Sequence, residues 1–278
     1  MAGESDLVAF YSEGAFERDR LLRGRGRLEL ARTQELLARF LPPPPAAIAD
    51  VGGGPGTYAA WLARGGYDVA LLDPVPTLVE RARAASAAQP DHPFGADVGD
   101  ARALPFAEAR FDAVLLLGPL YHLPEAADRA RALAEARRVL RPGGVLAAAA
   151  IGRHAALLDM MRAGRLDAEM LARLAQGVLV TGRLDAPAGF TTAYCHTPDG
   201  LRADVAAAGF EGVELLAVEG PGWLVLEGTG GVREGAQDIE PDQAVLAGAL
   251  RAARAIEAEP SLLGASSHVI AFSRAPAA

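Results

Sequence analysis

Apolar residues across positions 28–40 recur every three or four places, the period of a helix that buries one stripe. Pro42-Pro43-Pro44-Pro45 ends that helix, because proline removes an amide donor and restricts the residue before it. The tract reads as a stiff elbow between this helical segment and the main domain. From position 46 the pattern becomes short apolar runs alternating with helical stretches. Residues 46–51, 68–72, 111–117 and 145–151 have strand length, and residues 57–64, 77–88 and 125–140 read as helices between them. Arg141-Pro142-Gly143-Gly144 is expected to stop the third helix and turn the chain into a strand. The run at 111–117 is apolar on both parities, as a strand buried on both faces should be. This alternation implies right-handed crossovers and a parallel sheet covered on both sides.

Residues 152–197 break the rhythm with two short helical stretches, 154–161 and 167–175, in which Met160, Met161 and Met170 read as packing residues. A Gly/Thr/Pro-containing segment comes next. The alternation then resumes with a helix at 198–208, a strand at 213–219, a helix at 242–257 and a last strand at 267–273. The expected organisation is an N-terminal helical lid segment at 1–41, an α/β core from 46–151 and 198–278, and an inserted cap at 152–197.

Composition narrows the partners. The chain has 278 residues with 27 basic and 35 acidic side chains, a formal charge of −8. That balance disfavours a nucleic-acid backbone, whose binders usually show a basic face. The acidic start, Met1-Ala2-Gly3-Glu4-Ser5-Asp6, lacks the basic n-region of a secretory leader. Apolar runs fall short of the roughly 18 residues that span a bilayer. Cys195 stands alone, which excludes an internal disulfide and a cysteine-based zinc cluster. The five histidines show no ligand spacing, so no metal is expected. A cytoplasmic protein, monomeric or dimeric and without a membrane partner, is the expectation.

The chemistry-bearing stretch is Asp50-Val51-Gly52-Gly53-Gly54-Pro55-Gly56-Thr57, a strand running through a glycine turn into a helix. Glycine there permits positive φ and close approach of a ligand to the backbone. Asp73, ending the second strand, is placed to accept hydrogen bonds from a ribose diol. A nicotinamide dinucleotide would need a third glycine where Thr57 stands; the spacing present puts glycines at 52, 54 and 56. An NAD(P)-dependent oxidoreductase is therefore the weaker alternative, and a turn with no ligand is another.

The loop resembles the first motif of the class I S-adenosylmethionine-dependent methyltransferases, and Asp73 matches their ribose-binding acid. Three further segments come in the family's order. Gly99-Asp100-Ala101-Arg102-Ala103-Leu104-Pro105-Phe106 resembles the adenine-contacting loop, residues 111–117 the fourth strand, and residues 140–146 the turn into the fifth. The resemblance implies a Rossmann-like sandwich with a mostly parallel seven-stranded sheet. It implies S-adenosylmethionine as cofactor, S-adenosylhomocysteine as its product, and methyl transfer to O, N or activated C of a small molecule. A catalytically silent binding module is a further alternative. The cofactor residues it implies are Asp50, Gly52, Gly53, Gly54, Gly56, Asp73, Pro74, Asp100, Ala101 and Leu117.

Methyl transfer from a sulfonium rests largely on alignment, so a catalytic dyad is not required. The candidates around the methyl group are Tyr121 and His122 after the fourth strand and Tyr11 in the N-terminal segment. His122 reads either as a base or as a hydrogen-bonded steadier of its loop. His196, Trp223 and Arg20 are candidate acceptor contacts, and a seal on the core is the equal alternative for Trp223. The run Arg18, Arg20, Arg23, Arg25 and Arg27 reads as a solvated face or as a gate for an anion.

Overall fold

Helix α1 (Gly26–Phe40) forms where the three-and-four pattern places it and buries Leu28, Leu36 and Leu37. It belongs to a computed structural model that describes residues 8–11, 20–185, 191–226 and 242–277. Arg18 lies outside those residues, as do parts of the expected 1–41 and 152–197 segments. Beyond the proline elbow, β1 (Ala47–Val51), β2 (Asp68–Asp73), β3 (Gly95–Val98), β4 (Phe111–Leu116) and β5 (Leu140–Ile151) pair in parallel. β8 (Glu211–Ala217) and β9 (His268–Arg274) complete a seven-stranded sheet in the order β3-β2-β1-β4-β5-β9-β8. β9 runs antiparallel to both its neighbours.

Alternation along the strands divides the core into two faces. Ala113 and Leu115 of β4 join Ile48, Leu71 and Phe272 under α1, α2 (Thr57–Arg64) and α3 (Pro76–Ala87). Val114 and Leu116 point to the other face, against Leu133 of α5 (Ala126–Val139) and Leu201 of α9 (Pro198–Ala207). The expectation of a strand buried on both sides therefore holds for β4.

Two elements differ from the pattern reading. β3 carries one buried residue in four, too little to register as an apolar run. The Arg141–Gly144 stretch is not a turn, because β5 starts at Leu140 and runs through it. Leu140 leaves α5 with extended dihedrals, and the Gly143 amide donates to the Ala275 carbonyl at 3.1 Å. The register against β4 shifts to absorb the extra residues.

The segment after β5 leaves and returns at one point. Gly152 bridges His196, whose amide donates to Ile151 O at 2.9 Å. Between them lie α6 (Ala155–Arg162), α7 (Ala168–Gln176), α8 (Val178–Thr181) and a hairpin of β6 (Arg183–Leu184) with β7 (Ala193–Tyr194). Leu174, Val178 and Cys195 form a small cluster there, with Met160 and Met170 packed on it. Met161 is instead half exposed. Among the described residues no helix is long and apolar enough to cross a membrane.

Arg32 ties α1 to the end of α10 (Gln243–Ile256). Its guanidinium is buried, pairs with Glu35 and Glu257, and donates to Val218 O at 3.3 Å. Arg32→Ala removes the buried guanidinium, strips Val218 O of its donor and leaves the partly exposed Glu35 and Glu257 to Arg254 and Arg39; it is expected to cost about 1–3 kcal/mol in urea unfolding. Arg39, the exposed second partner of Glu257, is expected to contribute about 0–1 kcal/mol. Equal losses in the two variants would contradict this reading of Arg32.

Candidate functional site

The ends of β1, β4 and β5 meet one another at the carboxyl edge of the sheet, with the start of β9 beside them because Ile151 pairs with His268. At β1 the chain turns through Gly52, whose amide donates to Leu72 O at 2.6 Å. Gly52, Gly54 and Gly56 take φ of +72°, +56° and +87°, a region side chains with a Cβ rarely adopt. A Cβ on Gly53 would lie 2.7 Å from Asp50 Oδ2, whereas one on Gly54 would meet nothing within 4 Å. The bend is thus packed behind Gly53 and open in front of Gly54.

Asp73 holds the open side in place. Its Oδ2 accepts from the Gly54 amide at 2.9 Å and its Oδ1 from the Val75 amide at 2.9 Å. Asp50 is buried beside the bend, and its Oδ2 has no hydrogen-bond partner among the described residues. Burial and the nearby Asp73 charge push its carboxyl up to about 7, against the Ala59 amide that favours the anion. An orphaned buried carboxylate oxygen beside an open glycine bend suits a ligand that brings a cationic donor.

A cavity of about 80 Å³ lies in front of this bend. Asp50, Gly52, Gly53, Gly54 and Leu117 line it, and so do Tyr121 and Arg20. Seven of the sixteen sequence-predicted residues therefore converge on the cavity, whereas Gly56 and Asp73 support the bend without lining it. Pro74 is half buried beyond Asp73. Asp100 and Ala101 do not line the cavity; Arg102 takes the Asp100 carboxylate, with Nε to Oδ2 at 2.9 Å, and holds it below the usual carboxylate range despite partial burial. A wider groove of about 700 Å³ between α5 and α9 is lined by none of the predicted residues.

Tyr11, Tyr121 and His122 also come together, on residues 8–11 and on α4 (Pro119–His122). The Tyr11 hydroxyl lies 3.0 Å from His122 Nε2, and Thr191 Oγ1 lies 3.1 Å from Nδ1. Tyr121 lines the cavity but His122 does not. Burial, with the Arg20 charge, pushes the His122 imidazole down to about 3, so it is neutral and a weak base. The steadying role fits His122 better than the base.

Two expected acceptor contacts point inward instead. His196 is buried and its Nε2 lies 3.2 Å from Asp204 Oδ2, away from the cavity lining. Trp223 is buried among Leu28, Leu226 and Leu246, donates Nε1–H to Ala265 O at 3.0 Å, and lies under Arg25. His196 Nε2 and Trp223 Nε1 find protein acceptors there, while His196 Nδ1 is buried without a hydrogen-bond partner among the described residues. Arg25 pairs with Asp159 at 2.7 Å. Arg20 grips both Glu29 oxygens, at 2.6 and 3.0 Å, on the cavity wall.

The sequence reading missed three titratable groups beside Arg20. Glu29 of α1, Glu219 after β8 and His268 of β9 place ligand-type atoms within 4.8 Å of one another. Burial pushes the Glu29 carboxyl up, but Arg20 and His268 outweigh it and hold it well down. A polar residue at the end of an apolar strand, on the edge that forms the site, was the available signal for Glu219 and His268.

Residues 49–148 match the family model for a methyltransferase domain. The ubiquinone/menaquinone biosynthesis C-methyltransferase UbiE of Acidiphilium cryptum is 38% identical over 114 residues, 40% of this chain and 44% of that protein. The malonyl-acyl-carrier-protein O-methyltransferase of Pseudescherichia vulneris is 36% identical over 112 residues, 40% of this chain and 41% of that protein. The chain thus spans less than half the length of these relatives. A SAM-dependent methyltransferase structure from Methanosarcina mazei superposes with a TM-score of 0.56 at 17% identity, covering 87% of this chain and 98% of that one. That likeness shows the fold.

Proposed function

We infer, for a chain that carries a class I S-adenosylmethionine-dependent methyltransferase domain, that it transfers the methyl group to a small-molecule acceptor held in front of Tyr121. The observation that carries this reading is the Asp50 oxygen, unpartnered among the described residues, beside a glycine bend whose open side is fixed by Asp73. Bound S-adenosylmethionine supplies an electrophilic methyl on a sulfonium. Asp73 then takes the ribose hydroxyls, Asp50 the amino group, and Gly52, Gly53, Gly54 and Leu117 shape the amino-acid pocket. Gly56 sets the turn, Pro74 flanks the ribose, and Asp100 with the Ala101 amide is the adenine contact, which requires Arg102 to share its hold. Tyr121 walls the acceptor side and keeps water out.

The cavity is smaller than the about 300–1,000 Å³ of small-molecule sites, so donor entry displaces part of its wall. Arg20 and Leu21 form that movable wall, Arg20 paired with Glu29 and Leu21 packed on the core cluster under α1. Residues 1–41 then act as the lid and 152–197 as the cap of the proposed organisation. The relatives' names include both C- and O-methyl transfer, so the choice of acceptor atom rests on this chain's own side chains.

Calorimetry with S-adenosylhomocysteine tests the reading: micromolar binding supports it, and no heat at millimolar ligand sinks it. The Asp50 proton sharpens the test. A carboxyl at about 7 is mostly protonated at pH 6, and an ammonium beside it favours the anion. Ligand binding at pH 6 is therefore expected to release a proton, seen as heats that differ between buffers of different ionisation enthalpy. Asp50→Asn should abolish that difference, whereas buffer-independent heats in the wild type would contradict the contact. The same raised value means that Asp50 favours folding below its unfolded value near 3.8 and loses that contribution as pH rises through about 7.

A further inference from the structure

We propose that Glu219 and His268 form a general-base dyad, with His268 Nε2 taking the proton from a phenol or enol hydroxyl of the acceptor. The dyad rests on the methyltransferase reading of the site and narrows its acceptor to one chemical class. His268 Nδ1 lies 2.6 Å from Glu219 Oε1. Glu219 is itself fixed, its Oε2 accepting from Ser266 Oγ and from the His268 amide, each at 2.9 Å. Ser266 Oγ in turn accepts from the Glu219 and Gly220 amides at 3.1 Å. The ring lines the same cavity as Gly52, Gly54 and Tyr121. Among the described residues Nε2 has no hydrogen-bond partner, and a proton on Nδ1, which the Glu219 carboxylate is placed to accept, leaves the Nε2 lone pair available.

A neutral amine offers its lone pair at once, but a hydroxyl must lose its proton to become a good nucleophile. A fixed imidazole in the cavity wall therefore points to an ionisable hydroxyl, whose acidity a histidine can match. In the balanced step the acceptor O–H proton goes to Nε2. The oxygen lone pair forms the new O–C bond as the C–S bond breaks, its electron pair staying on sulfur as a neutral thioether. The imidazolium then returns its proton to solvent.

The groups facing the ring are Glu219 after β8, Glu29 of α1, 4.0 Å from Nδ1, and Arg20 ahead of that helix. Burial and Arg20 push the imidazole down, but the two carboxylates outweigh them and raise it above its ordinary value. The base is active when neutral, so turnover should fall as pH drops through that raised value.

Imidazole NMR on the full chain saturated with S-adenosylhomocysteine should show His268 protonated at Nδ1 in its neutral form. In Glu219→Gln its titration should move to lower pH. With phenols, catechols and 1,3-dicarbonyl enols as acceptors, His268→Gln should lower kcat at least 100-fold while S-adenosylhomocysteine affinity stays within 3-fold. The acid limb in Glu219→Gln should track the NMR shift. A neutral ring protonated at Nε2, an unshifted titration, full activity in His268→Gln or turnover only of amines overturns the dyad, as does no turnover by a protein that binds S-adenosylhomocysteine. Activity lost in EDTA and restored by Mg²⁺ or Zn²⁺ overturns it in favour of a cation on Glu29, Glu219 and His268. Failure of the wild type to bind S-adenosylhomocysteine defeats the methyltransferase reading itself.

Discussion

Asp73→Ala is expected to weaken S-adenosylhomocysteine binding by about 10²–10⁴-fold, the loss of two hydrogen bonds to a charged acceptor at about 1.5–3 kcal/mol each. The carboxylate also anchors the protein side of the site. Without it the Gly54 and Val75 amides lose their buried partner, each at about 1–3 kcal/mol. Calorimetry must therefore be paired with a melting curve, and binding measured well below the lowered Tm. Asp97→Ala is the control, since Asp97 sits exposed on the neighbouring β3 and, among the described residues, pairs with the exposed Arg83 alone. It should change neither quantity by more than the scatter. Wild-type affinity in Asp73→Ala would show that the ribose is held elsewhere.

Gly54→Ala should be the second large loss, and a second glycine isolates its cause. Gly54 and Gly143 have φ of +56° and +73°, and a Cβ at either meets nothing within 4 Å. The backbone penalty for alanine is thus alike at both, about 1–2 kcal/mol. Only Gly54 faces the cavity, where the new methyl would occupy donor space. Gly54→Ala is expected to weaken S-adenosylhomocysteine binding at least 30-fold, and Gly143→Ala to leave it unchanged at the same cost in Tm. Equal affinities would mean that the open side of the bend is not the donor's side.

The parts of this site legible in the sequence are those built by one contiguous stretch. β1, the glycine bend and α2 succeed one another without a break, so residue type and spacing carry their geometry. Asp73 was legible because a parallel strand next to β1 must end beside that bend. β3 escaped because an edge strand with one buried residue has no apolar period to detect. His196, and the choice between the two readings of Trp223, were illegible for a different reason. A loop at a strand end can turn its ring outward to a ligand or inward to an acceptor, and the choice lies with Asp204 and Ala265 O, which no spacing rule identifies. Glu29, Glu219 and His268 are brought together only by sheet order and the packing of α1, since β9 crosses back between β5 and β8.

A crystal structure with S-adenosylhomocysteine bound tests the donor placement most directly. The predicted result is a ribose whose two hydroxyls lie within hydrogen-bonding distance of the Asp73 carboxylate, with the amino group on Asp50 Oδ2 and Arg20 displaced from the cavity wall. A nucleoside bound away from Asp73, with the Asp50 oxygen still unpartnered, would contradict it.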